Sequence, residues 1–181
     1  MRRIRITIFH LFLPFIIAGG FDTVSAQEMP YAISRWEIAV DEAVKKYIPG
    51  KEHFILDIDG TKDYDNNVYN HLISSNPDIK SRIKVIRSKG SPFRDLLFLD
   101  NKLYEILEYK DNVDTLAFKE LFVSMKNEYG IPEMTKEKEC TVYSYRKEST
   151  QVVLIAKPHD DRYQVRVYLY SKSLFRRMFE D

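Results

Sequence analysis

The chain is 181 residues long and is poor in several features that would announce a chemistry. It has one cysteine, Cys140, which cannot close an intramolecular disulfide and excludes a disulfide framework or a cysteine-rich metal centre. Its six glycines form no Gly-x-Gly-x-x-Gly turn, phosphate-cradling loop or Gly-x-Ser-x-Gly elbow, so no nucleotide cofactor or serine-hydrolase site is signalled. His53, His71 and His159 lie in separate segments, without the close spacing of a zinc site. Charge of one sign is also missing: 28 basic residues stand against 27 acidic ones. That balance argues against a nucleic-acid binder, which concentrates a basic excess on one face. No cofactor is implied.

Residues 1–26 read as a secretory signal peptide. Arg2, Arg3 and Arg5 precede an apolar stretch over 6–18, and Val24-Ser25-Ala26 supplies small residues for cleavage. The apolar stretch is shorter than the roughly 20 residues that span a bilayer. An uncleaved anchor is the alternative; cleavage would leave Gln27 first. The mature chain, 27–181, loses three arginines and Asp22, which brings its formal charge to −1. Its length suits a single α+β domain, periplasmic or secreted, with no integral membrane part after cleavage.

The organising stretch is 114–177. Asp114 is placed to cap a helix whose apolar stripe is Phe118, Leu121, Phe122, Met125 and Tyr129, and Gly130 with Pro132 ends it. Alternation of period two follows over 141–145, 151–157 and 163–170, with turns too short for helical crossovers. These runs predict a three-stranded antiparallel meander. Cys140 opens the first of them and is expected as a buried, inert thiol. Upstream, Ser34 and Glu37 suggest a capping box for a helix over 34–48, with Trp36 on its apolar stripe. Strands are expected over 53–58, 81–88, 93–99 and 103–109, the last two joined at Asp100-Asn101-Lys102. A modest helix is expected over 66–74, and a short one over 174–179. The expected fold is a mostly antiparallel sheet, of hairpins and a C-terminal meander, packed against two or three amphipathic helices. Both halves end in hairpins, which leaves a strand–strand–helix duplication open.

Three groups of residues are candidate sites. Phe54-Ile55-Leu56-Asp57-Ile58-Asp59-Gly60-Thr61 resembles the first motif of the haloacid-dehalogenase-like phosphohydrolases. The resemblance implies Asp57 as phosphoryl-accepting nucleophile, Asp59 as general acid/base and a magnesium ion. It covers eight residues, and the family also needs a parallel sheet with crossover helices. Ser88, Lys157 and the Asp160-Asp161 pair are available for the later motifs, but the short turns around them predict antiparallel strands. A second reading makes Asp57, Asp59, Asp63 and Asp65 a calcium loop, against which no EF-hand register fits; a solvated acidic loop is the plainer account. The third group is tyrosine on predicted strands: Tyr143, Tyr145, Tyr168 and Tyr170 could form a platform for a protein, peptide or glycan, or serve as ordinary cross-strand partners. The sequence thus points to an exported bacterial envelope protein acting by binding, with a metal-dependent phosphohydrolase or a calcium-binding loop as alternatives.

Overall fold

A computed structural model describes residues 33, 35–58, 66, 69, 70, 73, 74, 76–173 and 176. The fold is α+β and dominated by one eight-stranded antiparallel sheet, in the order β1-β2-β3-β4-β8-β7-β6-β5. The strands are β1 His53–Ile55, β2 Ile83–Ser88, β3 Phe93–Leu99, β4 Lys102–Asp114, β5 Glu133–Lys136, β6 Thr141–Lys147, β7 Thr150–His159 and β8 Arg162–Ser171. Two helices are described over their full length: α1, Val40–Tyr47, and α2, Thr115–Tyr129. Each half places a helix ahead of four neighbouring antiparallel strands, β1–β4 after α1 and β5–β8 after α2, and the two sets join antiparallel along β4 and β8; the halves differ in the helical residues and 3₁₀ turn between β1 and β2. Such a half is larger than the strand–strand–helix repeat left open by the sequence.

Helix α2 forms as its sequence predicts. The Asp114 carboxylate accepts from the Ala117 N–H at 2.8 Å, and Gly130 leaves the helix at φ +87°. Met125 and Tyr129 are buried, and Phe118, Leu121 and Phe122 pack beside them on the main core. Phe118 stacks on Tyr163 with ring centres 4.5 Å apart, and Phe122 meets Tyr143 edge-on at 5.1 Å. The β3–β4 hairpin is also as expected: Asp100 and Asn101 take φ +50° and +60°, the tight-turn conformation that these two residue types tolerate.

Other elements differ from expectation. The first helix begins at Val40, not near Ser34, and Ala39 caps it without a side-chain bond. The preceding backbone is taken by the sheet: Leu103 N–H donates to Ile38 O at 2.9 Å, Glu37 N–H donates to Leu103 O at 3.2 Å, and Ala39 bridges Lys102. Glu37 is held at φ +64°, which is incompatible with a helical turn. Trp36 is therefore not on a helix; its indole Nε1 donates to Thr150 Oγ1 at 2.9 Å in the core. The C-terminal meander gains a fourth strand, β5, whose residues are all exposed. The expected strand over 53–58 is shortened to β1, and residues 77–82 form a 3₁₀ turn before β2. Of the helix expected over 66–74, Tyr69, Asn70, Ile73 and Ser74 are helical, Asn66 is not helical but accepts the Tyr69 N–H on its Oδ1 at 2.9 Å, and residues 67, 68, 71 and 72 lie outside the described residues. The 174–179 helix lies outside them except for Arg176.

Cross-strand register sets what each face carries. The face toward α1 and α2 holds Ile86, Leu96, Phe98, Ile106, Tyr145, Val152, Leu154, Val165, Val167 and Leu169. Between α1 and this face, Arg94 donates to the Tyr47 carbonyl at 2.8 Å and pairs with buried Glu108, which also meets Lys110 at 2.9 Å. That bond caps the carbonyl end of α1. On the opposite face, Val85, Leu97 and Tyr104 form a second core with Tyr69, Ile79 and the partly buried Leu56, Ile58, Ile73 and Ile83. This smaller core lies on the N-terminal half of the sheet. Among the described residues no helix is long and apolar enough to cross a membrane.

Candidate functional site

The candidate site lies on the face opposite α1 and α2, along β8. Cross-strand pairing places Tyr109 of β4 opposite Arg166 of β8, and Arg166 opposite Ile155 of β7. Because side chains alternate, Gln164, Arg166, Tyr168 and Tyr170 follow one another along this face. Two adjoining clefts share Gln164 and Arg166. One, of about 240 Å³, adds Arg87, Phe93, Tyr109 and Asp111. The other, of about 470 Å³, adds Ile155, Lys157 and the β5–β6 hairpin with Glu137 and Cys140.

Arg87 is the fixed point of the site. Its Nε and Nη2 each donate to one oxygen of Asp95 at 2.7 Å, and the Asp95 side chain is only 1% exposed. A two-point fork of this kind sets both the position and the plane of the guanidinium. The same guanidinium lies 4.9 Å from the centre of the Phe93 ring and 5.5 Å from that of Tyr109. Those rings are themselves stacked, with centres 4.5 Å apart. Arg166 approaches Tyr109 as well, at 5.6 Å. Two cations therefore share one aromatic ring beside open clefts; Asp95 offsets the charge of Arg87 and Asp111 lines the smaller cleft, so the attraction for an incoming carboxylate or other anion rests on Arg166. Burial is the main reason that the Tyr109 phenol is pushed far above its usual range, so it stands as a neutral hydrogen-bonding group.

A second polar feature lies deeper on the same face. The register shifts between Leu97 and Phe98, which leaves Tyr104 as an extra residue on β4. Such a bulge lets Tyr104 and Glu105 both turn toward the smaller core. Glu105 is fully buried, and Asn66 Nδ2 donates to its Oε2 at 3.1 Å, while Oε1 has no hydrogen-bond partner among the described residues. Burial, opposed by the Asn66 bond and reinforced by the Asp95 charge, raises its carboxyl from 4.5 to about 8. Glu105 is therefore mostly protonated at neutral pH.

The residues singled out from sequence fare differently. Asp57 is exposed just beyond β1, an edge strand that runs antiparallel to β2. The parallel sheet and carboxyl-end crevice that the phosphohydrolase resemblance requires are not its surroundings. Asp59, Asp63 and Asp65 lie outside the described residues, so the calcium loop does too. Among the described residues no three of His, Cys, Asp and Glu gather as a metal would need. The four tyrosines do not make one surface. Tyr143 and Tyr145 belong to the helix-covered face, where Tyr145 is fully buried and Tyr143 packs on Phe118 and Phe122. Tyr168 and Tyr170 lie on the opposite face, and Tyr168 is 2% exposed. Cys140 is partly exposed in the β5–β6 hairpin rather than buried in a strand. Desolvation and the nearby Glu137 carboxylate raise its thiol, which suits an unreactive group.

Arg87, Phe93, Asp95, Tyr109 and Arg166 were not singled out from sequence. The available signal is a charge inside each apolar strand: Asp95 before Leu96-Leu97-Phe98, and Glu105 between Leu103-Tyr104 and Ile106-Leu107. A charge at such positions requires a partner or a function. The chain matches no family model, no curated protein and no solved structure.

Proposed function

We propose that the protein is an exported, non-catalytic binding module of the bacterial envelope, periplasmic or secreted, which takes a carboxylate-bearing protein, peptide or glycan partner along β8. The observation that carries this reading is the Arg87 guanidinium, locked by buried Asp95 against the Phe93–Tyr109 stack and opening with Arg166 onto two joined clefts. A cation held in place before its ligand arrives spends little conformational entropy on binding. Ile155 and the amide of Gln164 add apolar contact and orientation in the larger cleft. Export rests on the basic, apolar and small-residue pattern of residues 1–26.

An array of acidic and neutral peptides and glycans, probed with the purified protein, tests this reading. The retained ligands should carry carboxylates, and Arg166→Gln should lose them while melting at the wild-type temperature. Retention of neutral ligands alone, or equal retention by the variant, refutes it.

A further inference from the structure

A separate cleft of about 280 Å³ lies at the other end of β8, lined by Arg146, Gln151, Tyr170, Lys172 and Arg176. Register explains the convergence. Gln151 of β7 pairs with Arg146 of β6 on one side and with Tyr170 of β8 on the other. Directly opposed residues share a face, so these three side chains form a row across the sheet. The chain leaving β8 then brings Lys172 and Arg176 to the same opening.

Two of the lining side chains are held by backbone carbonyls. Gln151 Nε2 donates to the Tyr145 carbonyl at 3.0 Å, which fixes the amide. Lys172 Nζ donates to the Lys147 carbonyl at 2.9 Å, a neutral acceptor that leaves its charge uncancelled. Arg146 Nη2 meets Glu133 Oε2 at 3.1 Å, with the two side chains 67% and 69% exposed. An ion pair so open to water is weak and yields readily to a competing anion. No carboxylate is among the described residues that line the cleft. Lys172 and Arg176 bring two like charges to one small opening, Arg146 adds a third once its exposed pair with Glu133 opens, and an oxyanion between them relieves their repulsion. Guanidinium forks suit the paired oxygens of such an anion, and a lysine adds a point charge.

We infer that this cleft binds a tetrahedral oxyanion of the phosphate class, either free or carried as the headgroup of an anionic phospholipid. The site is distinct from the Arg87–Arg166 clefts and stands or falls independently of them. The volume suits a single phosphate group with a short part of its carrier.

Amide NMR of the purified protein, titrated with inorganic phosphate against sodium chloride at matched ionic strength, tests the inference. Phosphate should shift the Gln151, Tyr170 and Lys172 amides with saturation in the millimolar range. Lys172→Gln/Arg176→Gln should weaken that binding at least about tenfold, with the rest of the spectrum unchanged. Sedimentation with phosphatidylglycerol vesicles, but not with phosphatidylcholine vesicles, and release by added phosphate identify the headgroup as the source. Phosphate shifts without vesicle binding identify the free anion. Shifts no larger than those with chloride, or equal binding by the double variant, overturn the inference.

Discussion

Replacing Glu105 with glutamine should stabilise the protein at neutral pH and remove most of one pH dependence. The folded chain keeps a proton on this buried carboxyl up to about pH 8, whereas the unfolded chain loses it near 4.5. Across that window the folded state binds more protons than the unfolded state, so stability falls as pH rises. Each pH unit of the window costs about 1.4 kcal/mol, which amounts to about 3 kcal/mol by pH 7 and roughly 5 kcal/mol above pH 8. Below pH 4.5 the cost vanishes, because both states are protonated. Glutamine cannot ionise, and its amide oxygen can still accept the Asn66 Nδ2–H bond seen at 3.1 Å. The assay is urea denaturation of wild type and Glu105→Gln at pH 4.5, 7 and 8.5, followed by the fluorescence of the single tryptophan, Trp36. Trp36 lies in the core with its indole bonded to Thr150, so its emission should report global unfolding. The two proteins should be nearly equal at pH 4.5 and diverge in favour of glutamine as pH rises, by about 3 kcal/mol in unfolding free energy at pH 7. A difference that stays constant with pH, or a glutamine variant less stable throughout, would refute the reasoning.

Asp95→Asn breaks the buried fork to Arg87 and should cost roughly 3 kcal/mol in urea denaturation, because a charge is left with a poorer partner. Asp114→Ala removes the side-chain cap of α2 and should lower stability by about 1 kcal/mol, read from the thermal melt by circular dichroism. Met125→Ala, at a fully buried position of the same helix, should cost about 3 kcal/mol, whereas Leu116→Ala, at a side chain 67% exposed, should stay within about 0.5 kcal/mol. With magnesium and p-nitrophenyl phosphate, the purified protein should show no hydrolysis above buffer. Turnover abolished by Asp57→Asn would instead restore the phosphohydrolase reading.

Local physics made much of the architecture legible. Asp114, the apolar stripe of α2 and Gly130 all point to the same helix, and Asp100-Asn101 suits the tight turn between β3 and β4. Alternation over the C-terminal strands, with short turns, was sufficient for an antiparallel meander. The failures came where distant chain competed for the same groups. The backbone at residues 37–39 bonds across to Leu103, and no local propensity for helix over 34–39 can reveal that. β5 has neither a buried face nor an apolar run; it exists because β6 offers it a partner.

Sequence by itself determined which residues alternate, where the chain turns and where α2 begins and ends, because those depend on neighbours within a few positions. Tertiary structure decided which side of the sheet each alternating set faces. Tyr143 pairs with Leu154 and Leu154 with Val167, which assigns Tyr143 to the helices and leaves Tyr168 on the opposite side. It also decided that Arg87, Asp95, Tyr109 and Arg166, drawn from four strands, share one corner of the sheet, and that a bulge turns Glu105 into a buried core. Register between remote strands is a property of the whole sheet, so the site it assembles is written in no single stretch of the chain.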